Sequence, residues 1–79
     1  MQITMYTTNA CSSCRMVKQY LASKDLKYKE INIQDHPDKA SEAFEVSGQM
    51  SVPITVVKQG SLREIIVGYN ISKLASAII

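Results

Sequence analysis

The sequence predicts an α/β domain with a four-stranded mixed sheet flanked by three helices, in the order β-α-β-α-β-β-α. Three observations predict it. The apolar periodicity alternates along the chain between two residues and about 3.6, which separates strands from helices. The changes of period fall at Pro, Gly, Asn and Asp, the residues that punctuate local structure. The length of 79 residues suits one domain, residues 1–79. A chain this short buries only about 60–65% of its unfolded surface, so its core is thin.

Residues 2–6 alternate polar and apolar and read as the first strand. A polar stretch beginning at Thr7 leads to Cys11. From Ser12 to Lys24 the apolar positions Cys14, Val17, Tyr20 and Leu21 fall at helical spacing, Met16 is also taken as core, and Asp25 ends the helix. Lys18 is taken as a solvated helix lysine. In Tyr28 to Ile33, Ile31 and Ile33 share one face while Glu30 and Asn32 share the other, giving a second strand. Asp35 or His36 caps a second helix with Pro37 in its first turn. Ala40, Ala43 and Phe44 mark its inner face, and Gly48 stops it. Pro53 opens a third strand, Ile54 to Lys58, at the position where a strand tolerates proline. Gly60 turns the chain into a fourth strand, Arg63 to Val67, so that 54–67 forms a hairpin. Gly68 breaks the pattern. Asn70 then caps a last helix in which Ile71, Leu74, Ala75 and Ile78 recur at period 3.6. The first βαβ crossover makes a parallel pair, and the hairpin adds antiparallel strands.

Apolar residues make up 46% and charged residues 20%, a globular balance. Nine Lys and Arg against seven Asp and Glu leave +2, too mild and too evenly spread to predict nucleic-acid binding. No apolar run approaches the ~18 residues of a membrane span. Met1 to Tyr6 lacks a charged leader followed by a long apolar run, so a cytoplasmic protein is expected.

The two cysteines, Cys11 and Cys14, are too few for a disulfide framework and demand a redox or metal explanation in a reducing compartment. Cys11 falls at the junction of loop and helix, and Cys14 lies one turn inside. Positions i and i+3 face the same way, about 5–6 Å apart at Cα, within disulfide range. The helix N-terminus supplies unpaired N–H groups and the positive end of the macrodipole, and Arg15 adds charge, so a Cys11 thiolate is stabilised there. Cys14 is more shielded. This asymmetry suits thiol–disulfide exchange, with Cys11 attacking and Cys14 resolving, and needs no cofactor. Two other uses of the pair are open: plain core cysteines, or half a zinc site, for which about four ligands are wanted and only His36 adds a soft one.

The stretch Tyr6-Thr7-Thr8-Asn9-Ala10-Cys11-Ser12-Ser13-Cys14-Arg15 resembles the active-site segment of glutaredoxin-like proteins. Ser51-Val52-Pro53 is similar to their Thr-Val-Pro element. Val67-Gly68-Tyr69-Asn70-Ile71-Ser72-Lys73-Leu74 resembles the Ser-Gly-Phe-Arg-Pro-Asp-Lys-Leu segment of the NrdH-redoxins, short members that reduce ribonucleotide reductase. The resemblance spans essentially the whole chain. It implies a thioredoxin fold with sheet order 2-1-3-4 and a cis Val52–Pro53 bond. It also implies a substrate surface built from Val52 and Pro53, with Tyr6, Gly68 and Tyr69 beside it. Ser12, Ser13 and Arg15 are then the residues that tune the thiolate. The Cys11-Ser12-Ser13-Cys14-Arg15 run also resembles the start of the Spx regulators, whose chains are much longer.

Certain departures bear on the reductant. Thr8 stands where glutaredoxins commonly carry a lysine near the thiolate and glutathione, and Tyr69-Asn70-Ile71 lacks the acid that holds the glutathione amino end. The resemblance therefore favours a redoxin recycled by thioredoxin reductase, with ribonucleotide reductase or another disulfide-bearing protein as client; a monomer is taken as the default. A glutathione-dependent glutaredoxin, or a metal or iron–sulfur carrier using the same cysteines, is the alternative.

Overall fold

Alternation along β1 (Gln2–Thr7) sends Ile3, Met5 and Thr7 to one face of a sheet and Thr4 and Tyr6 to the other. The computed structural model describes residues 1–48 and 52–78. After β1 come α1 (Ser12–Ser23), β2 (Lys29–Asn32), a single 3-10 turn (Pro37–Lys39) and α2 (Ala40–Ser47). The hairpin β3 (Ile54–Gln59) and β4 (Leu62–Val67) and then α3 (Ile71–Ala77) complete the fold. The strand order is β2-β1-β3-β4. β1 pairs parallel with β2 and antiparallel with β3, which pairs antiparallel with β4, as the sequence and the family resemblance predict.

Each face of the sheet carries its own core. On one side Val17 and Leu21 of α1 and Leu74 of α3 pack on Ile3, Met5, Val57 and Ile66. On the other, Ala43 of α2 packs with Tyr6 and Ile54. Leu21 and Met5 are fully buried. Asn70 caps α3 by accepting the Lys73 N–H at 3.1 Å. Gly48 closes α2 in the left-handed conformation at φ 74°, which a side chain disfavours, and its N–H reaches the Phe44 carbonyl.

The helices depart from expectation in particular places. Met16 is 44% exposed and Phe44 46%, so neither belongs to the core. On α1 the buried stripe runs through Cys14, Val17 and Leu21, and Met16 lies about 200° around the helix from Cys14. On α2 only two turns are α-helical, and the inward direction is taken by Ala43, which leaves Phe44 at the edge. The entry to α2 is the 3-10 turn with His36 before it, and neither Asp35 nor His36 makes the expected side-chain cap. No helix among the described residues is long and apolar enough to cross a membrane.

Candidate active site

The pairing registers bring four chain segments to one end of the sheet. Tyr6 lies opposite Ile54, Ile54 opposite Val67, and Thr7 opposite Asn32. The loop that follows β1 and leads to Cys11, the Val52–Pro53 step before β3, the Gly68–Tyr69 step after β4 and the turn after β2 therefore all emerge there. Ser51 of the expected Ser-Val-Pro element lies outside the described residues.

Cys11 is the N-cap of α1, with extended backbone at φ −135° and ψ 102°. Its carbonyl accepts the first helical bond, from Arg15 N–H at 3.3 Å, and its Sγ accepts the Cys14 N–H at 3.1 Å. A sulfur thus occupies the place of an N-cap oxygen, facing donors that α1 itself leaves unpaired. Cys11 and Cys14 are joined in a disulfide with Cα atoms 5.2 Å apart. Cys14 is 1% exposed, whereas Cys11 is half-buried. Ser12 is exposed, Ser13 half-buried and Arg15 exposed at the first turn of the helix.

The Val52–Pro53 bond is cis. Pro53 is buried, and its carbonyl accepts the Gly68 N–H at 2.8 Å, which ties the loop before β3 to the end of β4. Gly68 has φ 79°, a conformation glycine adopts without strain. Tyr69 follows it as an exposed aromatic. Tyr6 differs from the other members of the expected substrate surface: it is 5% exposed, packs with Ala43 and Ile54, and donates its hydroxyl to Glu42 Oε2 at 3.1 Å. Burial first, and then the Glu42 hydrogen bond and charge, push the Tyr6 hydroxyl up to about 12.

One cluster near the site escaped sequence reasoning. Thr7, fully buried, donates its hydroxyl to Glu30 Oε2 at 2.8 Å, and Lys18 Nζ donates to the same oxygen at 2.9 Å. Lys18 is thus ion-paired rather than freely solvated. It lies four residues beyond Cys14, one helical turn along the same side of α1, and that spacing was the available signal. The Lys18 ammonium, and after it the Thr7 hydroxyl, hold the Glu30 carboxyl below the usual carboxylate range. Among the described residues no group of three or more His, Cys, Asp or Glu side chains could hold a metal ion.

A Cys-x-x-Cys pair at a helix start, on a 2-1-3-4 sheet with a cis proline at the same end, defines a thiol oxidoreductase of the thioredoxin fold. The glutaredoxin family model matches residues 3–61, and the chain belongs to the glutaredoxin family. It is 30% identical to an uncharacterized glutaredoxin-like 8.6 kDa protein in a rubredoxin operon of Clostridium pasteurianum, across 96% of each chain. It is 32% identical to the glutaredoxin-like protein NrdH of Lactococcus lactis over 67% of this chain and 74% of that one. The solved NrdH-redoxin of Escherichia coli superposes with a TM-score of 0.75 at 26% identity, covering 96% of this chain and 93% of the other.

Proposed function

We propose that this protein reduces protein disulfides by dithiol exchange, as an electron donor to ribonucleotide reductase that thioredoxin reductase recycles in the cytoplasm. The observation that carries the exchange mechanism is the contrast between its two sulfurs: Cys11 accessible at the helix N-cap, Cys14 buried behind it.

The Cys11 thiolate attacks one sulfur of the client disulfide. That S–S bond breaks, and the departing client thiolate takes a proton from solvent. Cys14 gives up its proton and attacks the Cys11 sulfur of the mixed disulfide, which releases the second client thiolate. Two electrons have then passed to the client, and the 11–14 disulfide remains. NADPH, through the flavoprotein reductase, returns two electrons to the pair. In this proposal the Val52 backbone pairs with an extended client segment beside Pro53, as in strand addition. Gly68 and exposed Tyr69 border that segment, and Tyr6 acts from beneath through the packing of Ile54. Ser12, Ser13 and Arg15 surround the attacking sulfur.

Two observations favour thioredoxin reductase as the electron source. Thr8 and the Tyr69-Asn70-Ile71 run lack the charged groups expected of a glutathione site. The E. coli NrdH-redoxin is described as having a thioredoxin-like activity profile. The test is an NADPH-coupled reduction of a protein disulfide with two arms, one with thioredoxin reductase and one with glutathione and glutathione reductase. Turnover is expected in the first arm alone and is abolished by Cys11→Ser. Cys14→Ser accumulates a mixed disulfide with the client. Turnover only with glutathione would overturn the assignment of the reductant, and activity retained by Cys11→Ser would overturn the nucleophile. Purified ribonucleotide reductase is the client to test next; failure to support its turnover removes that part of the proposal.

A further inference from the structure

The loop that delivers Cys11 to the helix is held by side chains at the end of β2 and in the turn that follows. Asn32 Oδ1 accepts the backbone N–H groups of Gln34 at 2.9 Å and Asp35 at 3.3 Å. Asn32 Nδ2 donates to Asn9 Oδ1 at 2.7 Å. Gln34 Oε1 accepts the Asn9 backbone N–H at 2.6 Å. Asn9, two residues before Cys11, is thus gripped at both its backbone and its side chain.

The orientation of every amide in this network is dictated by backbone groups that can only donate. Two N–H groups demand the oxygen of Asn32, which turns its nitrogen toward Asn9, and Asn9 must then present its own oxygen. The Asn9 N–H in turn demands the oxygen of Gln34. No alternative flip satisfies the set. The adjoining backbone bond, Ile33 N–H to the Thr7 carbonyl at 2.9 Å, anchors the same two segments one step earlier.

The loop needs such an anchor. Residues 8–11 lie outside regular structure, and the Cys-Ser-Ser-Cys motif has no proline to stiffen it. Cys11 benefits from the helix N-terminus only while its sulfur stays against the first-turn donors, within the 3.1 Å seen to Cys14 N–H.

We propose that Asn9, Asn32 and Gln34 form a polar clamp whose role is to position Cys11, holding its sulfur at the N-terminus of α1 and so setting its reactivity as a thiolate. They are positioning residues and touch neither substrate nor the reacting atoms. This role deepens the thiol-exchange function proposed above and rests on it, but its measurement does not require turnover.

The experiment follows the rate of Cys11 alkylation by iodoacetamide against pH in the reduced 79-residue chain carrying Cys14→Ala. Asn9→Ala, Asn32→Ala and their double variant are compared, with thermal unfolding recorded for each. Asn9→Ala is informative because it removes the Asn32 link while leaving the Asn32 turn intact. Each single variant is expected to slow alkylation at mildly acidic pH by about threefold to tenfold and to move the midpoint upward. The double variant is expected to go no further than the larger single. The charged and titratable groups at this end include Tyr6 on β1, Arg15 and Lys18 on α1, Glu30 on β2, Asp35 and His36 in the turn, Glu42 on α2, and Tyr69 after β4. None is altered, so a moved midpoint reports the clamp.

A lowered melting temperature with an unmoved midpoint, or effects that simply add, would overturn the proposal. If Asn32→Ala fails to fold, Gln34→Ala on the exposed turn gives the same test, with an unmoved midpoint again overturning it. Absence of disulfide reductase activity in the unmodified chain would remove the proposed function yet leave the alkylation series to be judged by itself.

Discussion

Replacing Glu30 with alanine should destabilise the fold by more than its exposed position suggests, because it strands a buried hydroxyl. Thr7 has no solvent access, and its hydroxyl ends on Glu30. A buried donor left without its partner costs about 1–3 kcal/mol. The Lys18–Glu30 pair, with side chains 32% and 33% exposed, adds only about 0.2–1 kcal/mol after solvent screening. The sum is about 2 kcal/mol, out of a total stability of roughly 4–12 kcal/mol for a chain of this length. The melting temperature should fall by about 10 °C. Thr7→Val removes the donor together with its need for a partner, leaves Glu30 with Lys18 and water, and should cost less than about 1 kcal/mol. The double variant should cost less than the two singles added together. The sign of the pH dependence follows from Glu30 being held below its ordinary range. The charge-dependent stabilisation is complete above the unfolded carboxyl value of about 4.3 and is lost as pH falls through the lower folded value. The gap between the parent and Glu30→Ala should therefore narrow as pH drops from about 5 toward about 2. The chain has no tryptophan, so urea unfolding is followed by circular dichroism. A Glu30→Ala penalty no larger than that of Thr7→Val at neutral pH, or one that does not change on acidification, would refute the reasoning.

The remaining predictions concern the other buried polar groups. Tyr6→Phe gives up the hydrogen bond to Glu42 and should cost about 1 kcal/mol at neutral pH. With the Tyr6 hydroxyl raised to about 12 in the fold against 10.0 otherwise, this contribution is present below pH 10 and is lost as pH rises toward 12, so the parent should lose its advantage over Tyr6→Phe within that range. Thr55 is fully buried, and its hydroxyl has no hydrogen-bond partner among the described residues. The near-isosteric Thr55→Val should raise stability by about 1 kcal/mol, and a lowered melting temperature in that variant would mean that the hydroxyl is satisfied after all.

The strands, the first crossover and the cysteine helix were legible in the sequence because their signals are local. Alternation in residues 2–6, the Pro53 start and Gly60 turn of the 54–67 hairpin, the stripe through Cys14, Val17 and Leu21, and the Asn70 cap each depend on neighbours within one or two turns. The strand order and the cis Val52–Pro53 bond could not be read that way; both came from the family resemblance, and the structure agrees with it. Met16 and Phe44 were misplaced because apolar character was given more weight than angular position, and on a helix of two turns an apolar residue next to the buried one falls at the rim. The Thr7–Glu30–Lys18 cluster and the Asn9–Asn32–Gln34 network were missed because they join residues 12 to 25 positions apart, brought together only by the β1–α1–β2 crossover. Alternation correctly marks Glu30 and Asn32 as lying away from Ile31 and Ile33, but nothing in a period of two says that a buried hydroxyl or a loop amide waits on that side.

The difference between the two cysteines has one structural origin. The helix begins at Ser12, so Cys11 is the last residue with extended backbone and Cys14 is the first buried residue of the stripe that docks α1 on the sheet. Cys14 is shielded because it packs as Val17 and Leu21 pack, three and seven residues further on. Cys11 is only half-buried and faces the first-turn N–H groups because the cap position lies outside that stripe. The same start therefore fixes which sulfur is accessible, which is protected, and which receives the electrostatic stabilisation of the helix terminus. Starting the helix one residue earlier would draw Cys11 into the first turn and take its sulfur from the cap position. Starting it one residue later would place Ser12 at the cap and leave Cys11 before it, away from the donors. Where α1 begins thus separates the two sulfurs, and the loop that leads to this start is the one bonded to the end of β2 and the turn after it.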